Sequence, residues 1–295
     1  MHRAVFSVLL TAVVFTFVVS LVAPLLTGCA SNPPLPPRAI ELNQNGAAAL
    51  AAGDLETAEA RFGVAIELSP RFTEAWVNLG YVELERGNLE RARKDFVKAR
   101  DLNPDLPAPH HALGLLADQR GLGKEAEGHY RQALKVDPTF IPARENLARR
   151  LFERKAFDDA REQYLRLTQV QPDALHGYVG LSECYFRLDR EGDAADLIGR
   201  ARARFGDVPE VRMLVARLEL RSEAFVEAEE TLAPLTGDAN RSRASAAWAW
   251  IAVSRQARGD TKGAKQASGE ALALDPTNAV AMAAAGGTPS PRAAR

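Results

Sequence analysis

The chain has 295 residues, with 37 basic and 38 acidic side chains and a formal charge of −1, which excludes a nucleic-acid binder held by phosphate contacts alone. Aromatics at 7%, 21 glycines and 17 prolines exclude a collagen-like or wholly disordered chain. Two cysteines exclude a disulfide-stapled scaffold or a cysteine zinc site. The chain opens on Met1, His2 and Arg3, and Val5 to Leu26 is then an uncharged, mostly apolar run of 22 residues. A bilayer takes about 20 such residues to cross.

The run ends at Leu26-Thr27-Gly28-Cys29. This resembles the bacterial lipobox, in which a peptidase cuts before the cysteine and the thiol carries diacylglycerol. The resemblance implies a signal peptide over residues 1–28 and a lipid anchor on Cys29. Several acyl chains hold such an anchor firmly, since each buried CH₂ contributes about 0.8 kcal/mol. An uncleaved apolar anchor is the alternative, and both readings place the remainder outside the cytoplasmic membrane. Ala30 stands where the family's inner-membrane retention signal has Asp, so the resemblance favours the outer membrane, with the chain facing the periplasm. Cleavage removes Arg3 and no acid, and lipidation of Cys29 leaves Cys184 as the one remaining thiol. Four prolines among Ser31 to Arg38 make residues 29–38 an expected extended spacer of about 25 Å.

Beyond the spacer one pattern repeats. Ala58, Ala92, Ala126, Ala160, Ala194, Ala228 and Ala264 are spaced 34, 34, 34, 34, 34 and 36 residues apart. Phe62, Phe96, Tyr130 and Tyr164 follow the first four alanines by four positions. Pro70, Pro104, Pro138, Pro172 and Pro276 keep the same register, with Gly206 and Asn240 where two further prolines are expected. Gly53, Gly87, Gly121 and Gly259 precede their alanines by five positions. Trp76, Leu79, Gly80 and Glu83 share one helical face, and Trp248 repeats the Trp76 place. Gly80 and Ala92 are expected where two helices cross closely, Gly87 in the turn, and Asn103-Pro104 at the helix end.

These columns resemble the tetratricopeptide repeat, a helix–turn–helix unit of 34 residues. Glu83 departs from the family pattern, which has Tyr there. The implied fold is all-α: a solenoid over residues 39–278, with about seven repeats starting at 39, 73, 107, 141, 175, 209 and 245. One repeat cannot bury its apolar face alone, so neighbours must stack. By resemblance they wind into a right-handed superhelix whose first helices line a concave groove. Residues 279–295 are expected to form a short cap helix and a disordered tail.

No catalytic pattern emerges. G-x-S-x-G, H-E-x-x-H and Walker-A sequences are absent. His110 and His111 have no second pair at metal spacing, and His110 occupies the Trp76 place, so packing is expected rather than zinc binding. Cys184 reads as a packed thiol, with no base near it. Residues 39–278 leave no room for a catalytic domain, so no enzyme, metal or cofactor is expected.

The resemblance also marks which residues of each first helix face the groove. Those places hold Gln44, Asn78 and Asn146, whose amides could pair with the backbone of an extended peptide. Arg149, Arg187, Arg217 and Arg221 follow over the fourth to sixth repeats, with Tyr81, His111, Leu115, Phe152, Phe186 and Leu220 interspersed. Arginine and aromatics are usual interface anchors. The alternative is a solvated face with ordinary Arg–Glu pairs, Glu153 and Glu183 being near. Asn43 stands at a lysine place of the family's carboxylate clamp, which argues against that clamp here.

The expected function is a non-enzymatic, lipid-anchored scaffold or assembly factor of the bacterial envelope, holding a segment of another envelope protein. In size, anchor and repeats the chain looks like the pilotin lipoproteins that help type IV pilus secretins assemble. An adaptor for peptidoglycan or polysaccharide machinery, or a repeat subunit of a separate enzyme, is the alternative.

Overall fold

A computed structural model describes residues 34–286. The expected signal peptide over residues 1–28, Cys29, the start of the expected spacer and residues 287–295 lie outside the described residues. Among those described there are helices and no strand, so the fold is all-α as expected. Seven helix pairs follow one another. They are α1 (Pro37–Ala51) with α2 (Leu55–Leu68), α3 (Thr73–Glu85) with α4 (Leu89–Leu102), and α5 (Pro107–Gln119) with α6 (Gly123–Val136). Next come α7 (Ile141–Glu153) with α8 (Phe157–Val170), and α9 (Leu175–Arg187) with α10 (Glu191–Phe205). The last two are α11 (Pro209–Arg221) with α12 (Phe225–Leu232), and α13 (Arg241–Ala257) with α14 (Thr261–Leu274). A short α15 (Ala279–Ala285) covers the end, burying Ala281 and Ala284 against the last pair.

Local chemistry sets the boundaries. Prolines occupy the first helical positions of α1, α5, α7 and α11, where their missing N–H is not needed. The side chains of Asp54, Asn240, Asp260 and Asn278 accept the orphan backbone N–H groups that open α2, α13, α14 and α15. Two boundaries differ from the sequence expectation. Pro37 and Arg38 are already helical, and Leu35 packs on Ala39 and Leu42, so the spacer merges into the fold. The seventh pair begins at Arg241, ahead of 245. Pro234 cannot donate a helical hydrogen bond, so α12 is short and gives way to a 3₁₀ turn, Ala233–Leu235. The longer 36-residue interval between Ala228 and Ala264 is taken up there.

The alanine column is the axis of the core: Ala58, Ala92, Ala126, Ala160, Ala194 and Ala228 are 0% exposed. First helices also touch one another along the stack, α1 with α3, α3 with α5, α9 with α11 and α11 with α13, whereas successive second helices show no comparable contact. The first helices therefore crowd the inner, concave side of a curved stack. That inner contact thins out on both sides of α7, which meets neither α5 nor α9 to the same degree.

A glycine column explains part of the change. Gly46, Gly80 and Gly114 each accept the flat ring of the second helix of their own pair, Phe62, Phe96 and Tyr130, and a Cβ would overlap that ring. All three rings are 0% exposed. The next place in the column is Ala148, and Tyr164, though it still packs on the Leu147 and Leu151 cluster of its own pair, finds no glycine there. Its ring lies against Gly180 of α9 instead and is only half-buried. The turns change in step. Gly53, Gly87 and Gly121 hold the left-handed conformation in the first three pairs, but Lys155, Asp189 and Glu223 must adopt it in the next three, at φ of 66°, 54° and 63°.

Candidate functional site

Two of the three amides singled out in the sequence, Asn78 and Asn146, are engaged with their own fold. The Asn78 amide donates to Asn43 Oδ1 at 2.9 Å, joining the first two pairs. Gln44 is exposed on α1. Around Asn146 a longer chain forms. Arg149 donates to Asn146 Oδ1 at 2.9 Å, and arginine can only donate, so the amide nitrogen faces His111 Nε2, also at 2.9 Å. Nε2 then accepts, and Nδ1 carries the proton toward Tyr81 Oη at 3.4 Å. His111 is buried, at 7% exposure, and burial pushes its pKa down to about 4, which keeps the ring neutral. His111 is thus an internal strut between α3 and α7. Its ring therefore faces neighbouring side chains rather than open solvent. Leu115 is half-buried and packs on the Tyr130 and Leu147 cluster.

The arginines are likewise engaged. Arg217 pairs with Glu183, and its guanidinium lies 4.7 Å from the Phe186 ring centre and 5.3 Å from that of Trp250. Arg221 reaches Asp189 at 2.8 Å and Glu191 at 2.9 Å, and it too covers Phe186 at 5.8 Å. Phe186 itself is 2% exposed and belongs to the core with Leu181 and Leu197. Three of the four groove arginines thus pair with acids of their own chain, Arg149 the most loosely, and Phe186 is roofed over. Arg187 is the exception. It lies over the Phe152 ring at 5.9 Å, and its Nε is buried without a hydrogen-bond partner. Arg149 is largely exposed and stands 3.9 Å from Asp118.

What the inner face does offer is a cavity of about 710 Å³ between α7 and α9. Its apolar surface comes from Phe152, Tyr164, Leu175 and Val179. Asn146 and Arg149 stand at one side, and Glu145, Glu183 and Glu210 supply acids. Arg217 pairs with Glu183 and Arg243 with Glu210, while His176 Nε2 lies 2.6 Å from Glu145. Sequence reasoning placed Glu183 near the groove but missed Tyr164, Leu175, Val179, Glu145 and Glu210. The readable signal was the broken glycine column: with Ala148 in place of glycine, Tyr164 has to go elsewhere, and Gly180 is the next space.

The remaining sequence readings fall on packing. His110 Nε2 lies 3.3 Å from the Pro104 carbonyl, as Trp76 Nε1 does from that of Pro70 at 3.0 Å, which is the same structural role in successive repeats. Cys184 is fully buried and burial pushes its thiol up to about 12, leaving no thiolate for chemistry. Glu83 is buried but accepts from Asn88 at 2.7 Å. Among the described residues no group of three His, Cys, Asp or Glu side chains could hold a metal, and no helix is long and apolar enough to cross a membrane.

Comparison with known proteins agrees with this architecture. No protein of curated function matches the sequence. Among solved structures, a tetratricopeptide repeat protein from Parabacteroides merdae shares 13% identity at a TM-score of 0.59, covering 85% of this chain and 98% of that one. The C-terminal part of a repeat-containing protein from Cytophaga hutchinsonii shares 16% at a TM-score of 0.58, covering 82% and 98%. The pilF protein of Pseudomonas aeruginosa shares 20% at a TM-score of 0.55, covering 71% and 95%. At these identities the likeness is one of fold. The family model of the tetratricopeptide repeat matches residues 44–107, 111–174 and 145–203, more than half of the chain. With seven helix pairs built on that repeat, the chain belongs to the tetratricopeptide repeat family and is a repeat scaffold for protein–protein interaction.

Proposed function

We propose that this chain is a lipid-anchored scaffold or assembly factor of the bacterial envelope that holds an extended segment of another envelope protein on its inner face. The observation that carries the reading is the cavity between α7 and α9, where the first helices part and Phe152, Tyr164, Leu175 and Val179 stand open. An apolar side chain of the partner fills it, and burial of such a side chain contributes about 1.5–3 kcal/mol. The exposed Arg149, at the side of the cavity, offers a charge-assisted bond to a carboxylate beside that anchor. Arg217 and Arg221 position the helices rather than meet the partner. The envelope location is supported by the lipobox ending at Cys29 and the proline-rich residues after it. A role in type IV pilus assembly is the narrower form of the proposal, favoured by the conjunction of lipobox, spacer and repeats. The likeness to pilF contributes the fold alone.

The test is photo-crosslinking from Val179 in intact cells, read by mass spectrometry of the adduct. One envelope protein is expected, and Arg149→Glu with Leu175→Asp is expected to abolish the adduct while the helical signal stays unchanged. An adduct that survives both changes sinks the groove reading. Anchoring is tested separately by labelling with a fatty-acid analogue. Label is expected on the parent and absent from Cys29→Ser, and equal label on both removes the lipid anchor.

A further inference from the structure

The opposite, second-helix side of the stack carries a feature that a peptide groove does not use. Between α6 and α8 lies a cleft of about 550 Å³, with Arg131 and Lys135 on one wall, Arg166 on the other and Arg144 at its base. No carboxylate lines it. Arg144 stands in the column of Trp76 and His110, and like them it donates to the carbonyl of the preceding proline, here Pro138. Its other arm donates to Gln163 Oε1 at 2.9 Å. Tryptophan or histidine would make that carbonyl bond without a fixed charge. Here the guanidinium of a residue only 7% exposed does so, with no acid bonded to it among the described residues. Burial and then the neighbouring Arg166 push its pKa down, as expected for cations crowded without a counter-charge.

Two of the nearby acids are committed elsewhere. Glu127 binds Arg131 at 3.2 Å and Arg154 at 2.8 Å, and Asp137 takes the Thr139 hydroxyl at 2.7 Å. Glu162 on α8 attracts Arg144 from beyond bonding distance. Lys135 and Arg166 have no ion pair among the described residues, in contrast to Arg217 and Arg221 on the inner face. We infer that this cleft binds a phosphate group, with Lys135, Arg144 and Arg166 converging on it from three helices. A phosphate fits better than a carboxylate because its oxygens are set tetrahedrally rather than in one plane, so cations approaching from three helices can share one group. Its source is either a free phosphate compound or the headgroup of an anionic lipid.

Hydrogen exchange on the full chain separates these cases. The chain is studied in nonionic detergent with inorganic pyrophosphate, then in phosphatidylcholine vesicles with and without phosphatidylglycerol. Amide exchange through residues 131–136 and 163–170 is expected to slow, by about tenfold at a ligand concentration of ~10 Kd. Slowing by pyrophosphate assigns a free phosphate ligand, and slowing by phosphatidylglycerol alone assigns a headgroup. Because Arg144 is buried, the deciding variant is Lys135→Glu with Arg166→Glu, both exposed, and it should abolish the slowing. Arg166→Gln, which adds no charge, should weaken it and serves if the double variant loses its helical signal. No slowing from either phosphate source, slowing that survives these changes, or slowing by poly-glutamate alone overturns the assignment.

Discussion

The first three repeats and the next three are built on the same register yet pack differently. In the first three, glycine receives a buried ring and glycine makes the left-handed turn, at Gly80 with Phe96 and at Gly87. In the next three both glycine columns are gone. Ala148 displaces Tyr164 toward Gly180, and Lys155, Asp189 and Glu223 carry the turns. Arginine contacts take over there, with Arg217 and Arg221 tying successive first helices to acids of the preceding pair. The lesson is that a solenoid can give up close packing locally and gain a cavity, because each repeat answers only to its neighbours. The cavity lies where the packing loosens and not where the motif is most regular.

The largest expected difference between the two regions is in their rings. Phe96→Ala should cost about 3–5 kcal/mol, the usual loss for a fully buried aromatic. Tyr164→Ala, half-buried beside the cavity, should cost clearly less. Urea unfolding of both variants measures this, and equal losses would erase the distinction between the regions. Acid should act through His111 next. Its folded pKa is about 4, against about 6.5 for an unfolded histidine. Between those values the unfolded chain binds a proton that the folded chain refuses. Stability is therefore complete above pH ~6.5 and falls as the pH drops toward ~4, by about 3 kcal/mol at the limit. Asp95, raised to about 6 by burial and then by Glu83, works in the opposite sense. The measurement is therefore the difference in pH dependence between the parent and His111→Gln, which should lose the His111 slope. A parallel pair of curves would mean that the imidazole charges freely in the fold.

Ala126→Leu should overpack the third pair and cost about 1–3 kcal/mol, with hydrogen exchange quickening mainly in α4 to α8. An unchanged melt would show that space exists where Ala126 is fully buried. The smallest effect concerns the turns. Lys155→Gly should stabilise by about 1 kcal/mol, since glycine meets no Cβ clash at positive φ. Gly87→Lys should cost a similar amount. If both substitutions leave the melting midpoint in place, the turn chemistry does not distinguish the two regions.

Much of the architecture was legible from spacing alone. The alanine, aromatic and proline columns identify helix pairs, since a period of 34 residues repeated over the chain leaves few other ways to bury an apolar stripe. The turn at Gly87 and the close approach at Gly80 were readable for the same reason: the backbone there tolerates no other side chain easily. The resemblance of Leu26 to Cys29 to a lipobox, too, rests on a linear signal. The candidate site was far less legible. A groove position says which way a side chain starts, and it does not say what the neighbouring repeat offers it. Phe186 points toward the groove and is buried because Arg217 and Arg221 cover it. Asn146 is an amide on the inner face, already held by His111 and Arg149. The cavity itself depends on Tyr164 of one repeat lying against Gly180 of the next, a relation across the stack that only the tertiary structure decides. Periodicity is local and additive, so the sequence determined the repeat and its turns. Pairing and burial depend on residues about one repeat apart meeting in space, so charge balance and open volume emerge only once the pairs are stacked.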